Sequence, residues 1–255
     1  MPKLVAATPM AKLAPFFRER SCEVLFNLML SFLTRFVDAK GRESSYHQLF
    51  GRAGVLERIR ALPKGTGERE EMAVQEYCKS LQEICDFEYV SQAVILDPTK
   101  EKVKYHLIFA SKNPRGIEVF KKAEIEAARI QDEIRHEVYL RKTDPELPGL
   151  FDDGPPRSRL VSQLWRRYTD LAVKQVVEVL RSNDAAEGVL YKKLFRAAMA
   201  FPLVTPEGLI HWLQSREPYL KIIFQFSETR KKPRKPSPMY NDRVIVVNSK
   251  GLKLD

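Results

Sequence analysis

The residues with the clearest chemistry are five cations in six positions, Arg230, Lys231, Lys232, Arg234 and Lys235 in "ETRKKPRKPSP". Cations at that density neutralise phosphates, and the three interleaved prolines lower the entropy lost when such a loop is ordered on a polyanion. Just before them, "PYLKIIFQF" offers Lys221 and Gln225 as its polar members. Read as a helix, it has one face that could enter a groove of DNA, with few groups to read bases. A polar residue inside an apolar run, Asn27 in "CEVLFNLML", is a candidate for the crevice of a buried strand, or a hydrogen-bonded core amide.

Acid–base and metal chemistry has weaker support. His106 in "YHLIF" alternates with its neighbours as a strand residue does, and reads as structural. His47, His136 and His211 are isolated. Glu133, His136 and Glu137 share one turn of a charged helix ("DEIRHE"), which reads as a solvated face because a metal needs ligands converging from elsewhere. Cys22, Cys78 and Cys85 have neither CxxC spacing nor a ligand-spaced histidine, so they read as buried thiols in a reduced compartment. No catalytic, cofactor-binding or metal-ligating residue is expected.

The elements that must position these groups fall into two halves of different charge. Up to Pro156, 24 Lys/Arg balance 24 Asp/Glu; from Arg157 onward, 19 face 9, which supplies the whole net charge of +10. That asymmetry points to a nucleic-acid or acidic-membrane contact in the second half. The most apolar run, Val24–Leu33, is about half of what a membrane span needs, and no leader pattern opens the chain, so a cytoplasmic protein with no membrane partner is expected.

In order, the first half reads as a helix from Thr8, a continuously apolar strand of the buried parallel type at Cys22–Leu30, and a helix over residues 47–63 broken by Gly51 and Gly54. A cleaner helix over residues 68–85 and a hairpin of strands Phe87–Leu96 and Val103–Ser111 follow. Asn113, Pro114 and Gly116 then cap a charged helix that runs to about Lys142. Residues 143–158, rich in Pro and Gly, read as a linker. Residues 159–255 read as three helices, the third starting at Thr205 as N-cap with Pro206 after it; "PYLKIIFQF" follows as a recognition helix, then a basic wing and a terminal strand at Val244–Val247.

The fold class expected is therefore an α/β part over residues 1–142, the C-terminal half of a Rossmann-like methyltransferase sheet ending in an antiparallel hairpin. A mainly α winged helix-turn-helix domain over residues 159–255 completes it. The Gly-rich turn and acidic residue that bind a cofactor in such sheets have no counterpart ahead of Leu25.

"EVLFNLMLSFLTRF", "KYHLIFASKNPRGIEVFKKA" and the basic tail resemble the C-terminal two-thirds of the three-Cys-motif partner protein family, which is bacterial. The resemblance implies a methyltransferase-like domain followed by a winged helix, and a partner that carries a three-cysteine, radical-SAM-like motif. It also implies a truncated or split member, because the opening segment is missing. The expectation is a non-catalytic module binding nucleic acid, DNA above all, or a protein: the three-cysteine partner or a complementary N-terminal fragment. The alternative is an S-adenosylmethionine-dependent enzyme that becomes active when its N-terminal half is supplied.

Overall fold

The computed structural model describes residues 9–19, 21–29, 33, 35–65, 67–142, 159–182, 188–215, 222–225 and 240–246. They form a mixed α/β protein that divides into two compact units: Met1–Phe120 with Glu126–Ser158, and Lys121–Ile125 with Arg159–Asp255. The linker expected over residues 143–158 lies outside the described residues. Among the described residues, no helix is long and apolar enough to cross a membrane.

The first unit is built on a three-stranded antiparallel sheet of order β1-β3-β2, with β1 at Glu23–Leu28, β2 at Tyr89–Leu96 and β3 at Val103–Ser111. The β2–β3 hairpin is the one expected from "DPTKEK". Helices α1 (Met10–Glu19), α2 (Glu43–Phe50), α3 (Val55–Arg60) and α4 (Glu68–Glu83) supply a core with the inner sheet face. Phe17 stands edge-on to Phe26 at 6.1 Å, and Phe26 edge-on to Tyr77 at 5.7 Å. Each such pair adds about 0.5–1.5 kcal/mol beyond its buried area. The break between α2 and α3 has the cause anticipated: Gly51 turns the chain at φ 64°, and a Cβ there would lie 2.7 Å from Ile84 Cδ1.

The strand at "EVLFNL" differs from expectation. It pairs antiparallel with β3, Glu23 opposite Ser111 through Leu28 opposite His106, and forms a sheet edge instead of a buried parallel strand. Val24, Phe26 and Leu28 turn to the core, while Leu25, Asn27 and Met29 are exposed. The continuous apolar run concealed a one-faced strand, because residues on its outer face are apolar too.

Helix α5 (Pro114–Lys142) starts where the sequence placed it. Asn113 Oδ1 accepts the Arg115 amide at 3.0 Å, and Gly116 N–H donates to Asn113 O at 3.1 Å. A side chain at Gly116 would meet the Glu23 carboxylate of β1, and would require that exposed, flexible side chain to swing aside. Farther along, Phe120 stacks on Phe109 at 4.9 Å. Gln131 accepts the Leu96 amide at 2.7 Å and donates to Val94 O at 3.3 Å, and Arg135 donates to the carbonyls of Asp97 and Lys100 in the hairpin turn.

The second unit runs α6 (Arg159–Arg181), β4 (Val189–Leu190), α7 (Tyr191–Met199), α8 (Pro206–Ser215), β5 (Ile222–Gln225) and β6 (Arg243–Val246). Its three strands form an antiparallel sheet of order β4-β6-β5. The core gathers Leu164, Tyr168 and Val176 of α6, Leu194 and Phe195 of α7, Leu209 and Leu213 of α8, and Val244 of β6. Residues 222–225 are the second correction. They form a strand, not part of a recognition helix, because the run Ile-Ile-Phe is β-branched and aromatic and finds a ladder partner in β6.

Candidate nucleic-acid interface

The helix start at "VTPEGL" folds as its residues dictate. Thr205 Oγ1 accepts the Gly208 amide at 3.0 Å, Thr205 O accepts the Leu209 amide at 3.0 Å, and Pro206 takes the first helical position. Leu209 and Leu213 face the core, leaving Glu207, Gly208, His211 and Ser215 exposed. That solvent face carries no Lys or Arg.

The turn entering α8 is held from α5. Lys121 and Glu124 are both buried and pair at 2.8 Å. Lys121 also donates to Phe201 O at 2.5 Å, and Glu124 Oε1 accepts the Leu203 amide at 2.8 Å. Burial lowers the Lys121 pKa and raises that of Glu124, against their mutual attraction. Leu203 adopts φ 60°, the left-handed region, which costs a non-glycine residue about 1–3 kcal/mol. The two side chains hold the amide and carbonyl that fix this conformation. Sequence reasoning missed the pair: Lys and Glu three apart on a charged helix look like any solvated couple.

The five cations Arg230, Lys231, Lys232, Arg234 and Lys235, and Lys221, lie outside the described residues. The chain on either side of the cations is described. Gln225, the last residue of β5, pairs with Arg243, the first of β6, so the antiparallel ladder holds both ends of the 226–242 segment together. The returning end docks on α7: Tyr191 N–H donates to Asp242 O at 2.8 Å, Lys192 N–H to Tyr240 O at 3.2 Å, and Tyr240 meets the Phe195 ring edge-on at 5.1 Å. Gln225 therefore sits at the root of the basic segment, not on a helix face.

The remaining candidates are dispersed. Asn27 is exposed on the edge strand opposite Leu107, outside any buried crevice. His106 is buried, its Nδ1 3.0 Å from Gln92 Oε1, and burial lowers its pKa to about 4. Glu133 pairs with Arg129 on an exposed helix face, as expected of a solvated stretch. Cys85 is buried and burial pushes its thiol up to about 11. No protein-family model, curated protein or solved structure matches this chain.

Proposed function

We propose that this protein is a nucleic-acid-binding module whose second unit is a winged helix-turn-helix, with residues 226–242 as a phosphate-gripping wing. The observation that carries this reading is the β5–β6 ladder, which closes at Gln225–Arg243 and brackets the five cations. The order helix, short strand, helix, helix, strand, strand, with the short strand pairing the last one, supports it. So does the net charge of the half that contains it.

On this reading α8 takes the place of the recognition helix. Its exposed face offers Glu207, His211 and Ser215 and no cation, so little base readout is expected. Affinity comes from the wing and from Lys221, is tolerant of sequence and falls steeply with salt. The first unit serves as a partner-binding scaffold, in keeping with the resemblance to three-Cys-motif partner proteins, and the protein acts in the cytoplasm.

The test is fluorescence anisotropy with duplex DNA across a salt series. Five phosphate contacts give a log–log salt slope of about −4.5. Replacing Arg230, Lys231, Lys232, Arg234 and Lys235 together by Ala should flatten that slope and remove most binding. Absence of binding to duplex DNA, single-stranded DNA and RNA at low salt would refute the proposal, as would equal binding by the fivefold variant.

A further inference from the structure

The second unit contains a cleft of about 240 Å³ between α6 and α8. One wall is a stripe of α6, Trp165, Thr169 and Val173, spaced by four; the other is a stripe of α8, Gly208, His211, Trp212 and Ser215. Ala172, Val176, Ala198 and Leu203 line it as well. We propose that this cleft is a binding site for an uncharged aromatic molecule of about two fused rings; it shares His211 and Ser215 with the face of α8 on which the nucleic-acid reading draws.

Three observations carry the assignment. First, the described lining contains no Lys, Arg, Asp or Glu, so nothing there offsets the cost of desolvating a charged ligand. Two of its hydroxyls are already engaged with backbone: Thr205 Oγ1 accepts the Gly208 amide, and Ser215 Oγ donates to Trp212 O at 2.9 Å. The surface offered is therefore mainly apolar and uncharged, with His211, Thr169 and the indole N–H groups as its polar members.

Second, the size selects the ligand. A dry apolar cavity of about 150 Å³ takes one benzene ring, so 240 Å³ suits a bicyclic one. Gly208, lacking a side chain, helps keep the space open, and both tryptophans of the chain face it. Trp165 is 55% exposed, an unusual position for so large an apolar ring, and there it can close over a flat guest.

Third, the wall is pre-formed. Leu203 is fixed at φ 60° by the Glu124 carboxylate and the Lys121 ammonium, so the cleft does not fill by local collapse of the turn. A rigid apolar pocket avoids the ordering cost that weakens binding at soft surfaces.

Because both tryptophans line the cleft, quenching of selectively excited tryptophan emission, corrected for light absorbed by the probe, reports on this site. The probe is coumarin, neutral and bicyclic, with 1-naphthoate as the charged control and ligand-observed saturation transfer as a second readout. Coumarin should saturate the quenching with a dissociation constant of about 100 μM, and 1-naphthoate should bind at least about tenfold more weakly. Thr169→Phe, which fills the cleft from a half-buried position, should weaken coumarin at least about tenfold without altering the circular dichroism spectrum. Trp165→Ala, at an exposed position, should weaken it severalfold by removing a wall.

Failure of coumarin to quench or to show saturation transfer at millimolar concentration would overturn the proposal, as would equal binding by Thr169→Phe. Concentration-dependent self-association that both variants abolish, without coumarin binding by the dilute chain, would overturn it in favour of a second copy as occupant. Nucleic-acid binding is read separately by anisotropy, so either reading can fail without the other.

Discussion

His106 should make the first unit sensitive to mild acid. Its ring is 4% exposed on the inner sheet face, opposite Leu28 and Val94, and its Nδ1 meets Gln92 Oε1 at 3.0 Å. Burial depresses its pKa from 6.5 to about 4. A depressed folded-state value means that the unfolded chain takes up the proton first. Stability is then complete above pH 6.5 and is lost as pH falls toward 4. Linkage puts the loss from this group at about 2 kcal/mol by pH 5 and about 3 kcal/mol by pH 4. Urea denaturation at pH 8, 6, 5 and 4 would measure it, with His106→Gln as the comparison. The variant should be less stable at pH 8, since it disturbs the Gln92 contact, yet lose about 2 kcal/mol less between pH 8 and 5. Parallel pH profiles for the two proteins, or an imidazole that titrates near 6.5 by NMR, would refute the reasoning.

Other groups lead to further expectations. Lys121→Met should destabilise the second unit by about 3–5 kcal/mol in chemical denaturation, because it strands the buried Glu124 carboxylate; adding Glu124→Gln, which keeps an acceptor for the Leu203 amide, should recover part of the loss. Glu76, 2% exposed, accepts from Arg52 and Arg58 at 2.8 Å and lies 3.4 Å from Lys79; burial pushes its pKa up, but the Arg58 hydrogen bond and the three positive charges outweigh that and lower it. Glu76→Gln should cost about 1–3 kcal/mol at neutral pH, and the advantage of wild type should shrink as pH falls below the ordinary carboxylate range, measured by thermal melts. Cys85, fully buried with its thiol raised to about 11, should resist disulfide-exchange reagents at pH 8 and label only as the first unit unfolds, a rate that mass spectrometry of labelled peptides would follow.

Much of the element order was legible because local chemistry and tertiary packing agree. Thr205-Pro206 before an apolar helix, Gly51 and Gly54 within a helical pattern, and Asp97-Pro98 between alternating strands each carry their own stereochemical instruction. Two segments misled for opposite reasons. In "EVLFNL", Leu25 is as apolar as Phe26, yet it stays 58% exposed, so continuity in sequence did not mean burial on both faces. In "KIIFQF", the expectation of a helix followed from the order of elements, although the residues themselves favour a strand. The cleft was invisible for a third reason. Trp165 and Trp212 lie far apart in the chain, and nothing in the local sequence links them until α6 and α8 bring them to one space.

The reassignment of residues 222–225 changes which groups the proposed nucleic-acid contact can use. With "PYLKIIFQF" as a helix, Lys221 and Gln225 would have been base-reading groups, four residues apart on one face. With residues 222–225 as β5, Gln225 instead marks where a hydrogen-bonded ladder ends and the basic segment begins. On the proposed reading α8 takes the recognition role; it begins with Pro206, Glu207 and Gly208, and helix N-termini are where base contacts are made in helix-turn-helix proteins. An exposed carboxylate at that position repels the phosphate flanks of a groove and can accept only from the amino groups of cytosine or adenine. If the protein binds nucleic acid as proposed, selection among sequences is poor, while the density of charge in residues 230–235 favours any polyphosphate backbone. On the proposed reading, then, the module grips nucleic acid by its backbone and leaves the choice of site to something else.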